Sequence, residues 1–284
     1  MQRSKRSNAT RWIRLALGSI LAVLILYPIV RVAYHRLMPL DTQAIYKSAL
    51  NDLARDDLGR AQLAIELLST VGSGPPFQLV LEGAMDLRQG RLQQAATRLI
   101  PALEDPATSA LAYTLTGEAF YRNRQFAQAI EVLSRAIEID DSLVAAHRWL
   151  AAAYYDIGAT APAIVELTRI SELDRSDPRP HRLMGLIYKD MESFHEAIEQ
   201  YRQALDRSSD FGGRSDVLLE LATCLVETKK FTELDDIIAQ CPPTATFLAY
   251  AAESLAGRGQ VEEAMQKLDQ SLSMEPDNLT ALML

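Results

Sequence analysis

Four histidines (His35, His147, His181 and His195) and two cysteines (Cys224 and Cys241) are the side chains best suited to bind a metal or attack a substrate. Their spacing assembles neither chemistry. No HExxH pair, phosphate-binding GxxxxGK[ST] loop, GxSxG elbow or kinase loop occurs, so no catalytic residue, cofactor site or metal site is expected. His147 and His181 recur at one interval, but helices separated by an intervening helix stand roughly 10 Å or more apart, too far for a shared ligand set. Packed histidines are the expectation. The cysteines lack metal-ligand or CxxC spacing and read as apolar core residues; a disulfide between them stays open if the body occupies an oxidising compartment.

That interval belongs to the elements on which the histidines sit. Residues 110–143 read as two helices: an apolar face at Tyr113, Gly117 and Phe120, a polar turn from Arg122 to Gln125, and a second face at Phe126, Ala129, Leu133 and Ala136. Sliding this hairpin by its own 34 residues generates blocks 76–109, 110–143, 144–177 and 178–211 without a gap. Small residues recur at the eighth place (Gly83, Gly117, Ala151, Gly185) and the twentieth (Ala95, Ala129, Ala163, Ala197). Large ones recur at the eleventh (Phe120, Tyr154, Tyr188) and the twenty-fourth (Leu99, Leu133, Leu167, Tyr201). Small side chains are needed where the two helices of a hairpin cross, because a large one would hold the backbones apart.

This alternation resembles the tetratricopeptide repeat (TPR) family. The resemblance implies an all-α fold, a right-handed superhelix of stacked hairpins, and a role as a protein-binding scaffold; the period alone shows a solenoid. It also implies which places of each first helix face the concave groove. These hold Tyr121 and Arg122 with Glu118 in the second block, Arg148, Trp149 and Tyr155 with Ala145, Ala152 and Asp156 in the third, and Arg179, Arg182 and Lys189 with Leu186 in the fourth. Arginine is a forked donor and Trp and Tyr are rigid anchors, so this cluster fits an extended acidic or carboxylate-ended peptide. The partner-binding residues expected on this basis are Tyr121, Arg122, Arg148, Trp149, Tyr155, Arg179, Arg182 and Lys189. The carboxylate clamp known in part of the family is absent, since its places hold Thr114, Glu118, Arg148 and Arg182. Block 76–109 instead offers Phe77, Val80, Leu81, Ala84 and Leu87, read as an apolar floor for a helix or an apolar peptide.

Outside the regular blocks the pattern weakens. Residues 35–75 comprise a linker and a degenerate first hairpin, with Asp41 and Thr42 as a helix cap and Gly72 to Pro76 as a break. Gly212-Gly213-Arg214 shifts the register. Block 215–244 follows as a weaker repeat whose second helix must stop before Pro242-Pro243. Block 245–278 restores the register, and 279–284 begins one more first helix.

The N-terminus is of another kind. Leu15 to Val30 is sixteen residues without a charge. Flanked by Trp12, Arg14, Arg31 and Tyr34, it reads as a transmembrane signal-anchor helix over 12–34, about 35 Å long at the helical rise. No small-x-small cleavage site follows it, and the basic tail 1–11 is expected in the cytoplasm, with the repeat body in a periplasm or other exoplasmic space. A mitochondrial presequence is the lesser reading of the same Arg-rich, acid-free start. The first 40 residues hold seven of the chain's 29 basic residues and none of its 37 acids, so the rest carries 22 basic residues and a formal charge of −15. Such a body is unsuited to nucleic acid. The expected partners are therefore proteins or peptides and, through 12–34, a lipid bilayer. The expected function is a membrane-anchored, non-enzymatic TPR scaffold; the alternative is an accessory subunit of an envelope assembly, secretion or protein-maturation system.

Overall fold

The computed structural model describes residues 41–71, 75–207 and 213–283. The span expected over 12–34 lies outside the described residues. Among the described residues all regular structure is helical, and no helix is long and apolar enough to cross a membrane. The chain divides between Thr108 and Ser109 into two compact units.

The first unit contains α1 (Thr42–Ala54), α2 (Leu58–Val71), α3 (Pro75–Arg88) and α4 (Leu92–Leu99), then a single 3₁₀ turn, Ile100–Ala102. The Asp41 carboxylate accepts from the Gln43 and Ala44 amides at 3.1 and 3.0 Å, satisfying donors that an uncapped first turn leaves without partners. Ala49, Leu53, Ala61, Ile65 and Leu68 form a buried interior with Val80, Leu81, Leu87 and Leu99. The apolar floor expected at Phe77 to Leu87 is therefore core: Val80, Leu81, Ala84 and Leu87 are buried, and Phe77 meets Tyr46 edge-on with ring centroids 4.8 Å apart. The hairpin of α1 and α2, weak as a repeat, still covers that face of α3.

The first unit replaces one aromatic by an ion-pair network. The eleventh place, aromatic in the next three blocks, is Asp86 here. Its buried carboxylate accepts from Arg91 Nε and Arg98 Nε, each at 2.8 Å, and Arg98 also pairs with Glu82.

The second unit contains the hairpins α5 (Ser109–Arg122) with α6 (Phe126–Ile139), α7 (Val144–Asp156) with α8 (Thr160–Leu173), and α9 (Arg179–Asp190) with α10 (Phe194–Arg207). They are followed by α11 (Arg214–Glu227) with α12 (Phe231–Ile238), α13 (Ala245–Gly257) with α14 (Val261–Met274), and the short α15 (Leu279–Leu282). The eighth place packs against the twenty-fourth. A Cβ on Gly117 would fall inside the Leu133 side chain, and one on Gly185 would lie 2.5 Å from the Tyr201 ring. Gly83 against Leu99, at 2.7 Å, repeats this contact in the first unit. The α12 helix has eight residues where α6, α8, α10 and α14 have fourteen, and it ends ahead of Pro242 and Pro243, which cannot donate to a continuing helix.

The turn inside each hairpin is built alike. At the fifteenth place the backbone is left-handed every time: Asp56, Gly90, Arg124, Gly158, Glu192, Lys229 and Gly259, with φ between 55° and 80°. Three are glycines, which adopt this conformation without strain; the other four, Asp56, Arg124, Glu192 and Lys229, hold it at a steric cost to an L side chain.

Candidate functional site

The recurring histidines sit at equivalent points of adjacent hairpins and differ in partner. His147, buried on α7, places Nδ1 2.6 Å from Glu166 Oε2 and Nε2 3.1 Å from the Asp141 carbonyl. His181, buried on α9, places Nδ1 2.8 Å from Gln200 Oε1. The carbonyl equivalent to that of Asp141, at Arg175, is taken by Arg207, and His181 Nε2 is left without a hydrogen bond. Burial alone would lower the His147 pKa, but the bonds to Glu166 and the Asp141 carbonyl outweigh it and the imidazole titrates above its ordinary value. Burial lowers the His181 pKa, which Gln200 offsets only in part while Arg207 adds repulsion. His195 is exposed. Among the described residues no cluster of three or more His, Cys, Asp or Glu side chains is arranged to hold a metal. Cys224 and Cys241 are free thiols, and burial pushes the Cys224 pKa up to about 11, away from reactivity.

A cleft of about 320 Å³ opens on the face formed by α5, α7 and α9. Tyr121, Arg148, Ala152, Tyr155 and Asp156 line it together with Leu183 and Leu186. Ala151 and Ala152 of α7 leave room at its base, and Leu183 and Leu186 of α9 wall it on one side. Its tyrosines are held from the next repeat: Tyr155 donates to Asp190 at 2.8 Å, and Asp156 sits against the Tyr121 hydroxyl. Burial first and then Asp156 push the Tyr121 pKa up to about 12, so both phenols stay protonated as donors.

The eight residues expected to bind a partner divide into two groups. Tyr121, Arg148 and Tyr155 come together in the cleft, and Trp149 stands behind it, half-buried, its ring 5.2 Å from that of Tyr121. The remaining cations are engaged within the chain. Arg122 pairs with Glu118 at 3.3 Å, Arg179 grips Asp177 through Nε and Nη2 at 2.7 and 2.8 Å, Arg182 reaches Asp216 at 3.0 Å, and Lys189 pairs with Glu220. Arg148 and Arg182 share a place in adjacent blocks, yet only Arg148 keeps an uncommitted charge: it is exposed and, among the described residues, makes no hydrogen bond or ion pair. Leu183 was not singled out from the sequence, although the sixth place of its block, which faces the groove in the TPR family, holds it.

Family models of the tetratricopeptide repeat match residues 86–143, 120–187 and 183–211. No curated protein matches the sequence. Among solved structures, the C-terminal part of a TPR repeat-containing protein from Cytophaga hutchinsonii is similar with a TM-score of 0.62 at 14% identity, over 84% of this chain and 98% of that one. YrrB, described as a TPR protein with an unusual peptide-binding site, is similar with a TM-score of 0.56 at 17% identity, over 65% of this chain and 96% of its own. PilF of Pseudomonas aeruginosa is similar with a TM-score of 0.53 at 20% identity, over 74% and 96% respectively.

Proposed function

The chain belongs to the tetratricopeptide repeat family, and on that premise we propose that it is a membrane-anchored scaffold holding protein partners in the groove of its first helices. The cleft between α7 and α9 is the observation that carries the binding reading: it is open, apolar-floored, and rimmed by tyrosines and an unpaired arginine, the side chains that dominate binding energy at interfaces. The description of YrrB as peptide-binding supports a peptide segment as the occupant. Residues 12–34 supply the anchor in this reading, with the basic tail in the cytoplasm and the repeats across the membrane.

Two measurements test it. A photo-crosslinking residue at Ala152, inside the cleft, should yield discrete protein adducts in cells, whereas one at Val165, exposed on α8, should not. Equal adducts from both positions, or none from Ala152, would overturn the groove reading. Protease added to right-side-out vesicles should digest the repeats, and a mature chain beginning after residue 30 would replace the anchor by a cleaved signal peptide.

A further inference from the structure

The charge balance around the cleft limits what it takes. Four cations on this face, Arg122, Arg179, Arg182 and Lys189, are each matched by an acid of the chain itself. Arg148 is not, and Asp177, the acid whose carboxylate feels its field, is already gripped by Arg179. The cleft therefore offers one positive charge beside an apolar depression. Its lining also contains Asp156, with Asp190 close by on Tyr155, so a second carboxylate on a ligand would meet repulsion from these acids, and Arg148 is the one cation among the lining residues.

We propose that the cleft docks an internal protein segment in which one aliphatic or aromatic side chain lies next to a single carboxylate side chain. The apolar group fills the depression over Ala152 between Leu183 and Leu186, and the carboxylate takes the Arg148 guanidinium. The occupant differs from an extended acidic peptide, which would need Arg182 and Lys189 released from Asp216 and Glu220. The segment is internal because a C-terminal end would bring its own carboxylate besides the acidic side chain, a second negative charge set against Asp156 and Asp190. This inference rests on the groove reading of the preceding section.

The test is a displayed library of random heptapeptides flanked on both sides by Gly-Ser linkers, which present no free terminus, selected against the full-length protein in nanodiscs. The parent, Arg148→Ala, Arg182→Ala and Ala152→Trp are compared after circular dichroism and melting show that each is folded. Peptides with one Asp or Glu within two places of a large apolar residue should be enriched on the parent. Arg148→Ala should weaken them about tenfold or more and abolish the requirement for the acid, as expected for one lost charge-assisted pair. Arg182→Ala should keep the pattern with affinity within about twofold, as for an exposed charge that is already paired. An acid requirement that survives Arg148→Ala, an enriched run of acids, or a pattern without an acid overturns the proposal. If Ala152→Trp abolishes enrichment in any of those cases, the groove reading stands and only this inference falls. Enrichment indifferent to Ala152→Trp, or no enrichment on the parent, overturns both.

Discussion

His147 Nδ1 lies 2.6 Å from Glu166 Oε2 across the hairpin of α7 and α8, and one repeat later the same two places hold His181 and Gln200 at 2.8 Å. A single atom, oxygen or nitrogen on the partner, separates an ion pair from a neutral bond. The Nδ1 contact is repeated from one hairpin to the next, but the two imidazole pKa values move in opposite directions. Burial of His147 is outweighed by Glu166 and by the Asp141 carbonyl on Nε2, whereas burial of His181 is only partly offset by Gln200 and is reinforced by Arg207.

Glu166→Gln should therefore bring His147 down toward the behaviour of His181, read as a fall in its titration midpoint by imidazole NMR. The sign for stability follows from linkage. The His147 pKa is raised in the fold, so its contribution is complete below the unfolded value of about 6.5 and is lost as pH rises through the folded pKa. The His181 pKa is lowered, so its contribution is present above about 6.5 and is lost as pH falls toward the folded pKa. With Glu166→Gln His147 should contribute less on the acid side, and denaturation at pH 5 should need less urea than in the parent. An unmoved His147 midpoint would mean that Glu166 is not what holds its proton.

Gly117→Leu should destabilise the second unit by about 1–3 kcal/mol, the usual cost of overpacking, because even a Cβ there would overlap Leu133. Arg122→Ala, on an exposed side chain at the end of α5, should change stability by less than about 0.5 kcal/mol, and Arg122 serves as the control. Equal melting temperatures for Gly117→Leu and the parent would refute the packing of the eighth place on the twenty-fourth.

Much of this architecture was legible because period and side-chain size are set together: wherever the sequence places glycine at the eighth position and a large residue at the twenty-fourth, the two touch. The pairing of the groove was not legible. Arg182 to Asp216 bridges the Gly212-Gly213-Arg214 shift, and Tyr155 to Asp190 joins successive first helices; both depend on the angle at which repeats stack, which no periodicity states. The groove places of the family misassigned Val80 and Leu81 in the first block, because a degenerate preceding hairpin covers a face as fully as a regular one. The left-handed fifteenth place was hidden for a third reason. Four of its seven occupants are Asp, Arg, Glu and Lys, and only the geometry shows that they do what glycine does elsewhere.

Glu192→Gly should stabilise the α9–α10 hairpin. Glu192 has φ 57°, a conformation that costs an L-residue about 1–2 kcal/mol, whereas glycine adopts it freely. Glycine also gains freedom in the unfolded chain, which offsets part of this, so a net gain of about 0.5 kcal/mol is expected. Glu192→Ala separates the two effects, since it keeps the strain and should leave the melting temperature near that of the parent. A loss of stability in Glu192→Gly would mean that the side chain stabilises the turn.

Asp86 should be worth more to the first unit than any exposed ion pair is to the second. Its carboxylate is 2% exposed and accepts from two guanidinium groups, while Arg135 and Glu138 on α6 pair at 2.6 Å with 65% and 61% of their side chains in water. Distance alone would rank the exposed pair above that of Asp86 with Arg98. Burial reverses the order, because a desolvated carboxylate that loses its partners is left with the full cost of its own burial, while water replaces either partner of the exposed pair. A double-mutant cycle of Asp86→Ala with Arg98→Ala should give a coupling of about 1–3 kcal/mol, clearly larger than that of Arg135→Ala with Glu138→Ala. Arg98 is itself 39% exposed and can turn to solvent when Asp86 is removed, which places the expectation nearer the lower end of that range. Comparable couplings in the two cycles would show that the charged eleventh place is only tolerated, and an aromatic at position 86, as in the next three blocks, should then raise the stability of the first unit.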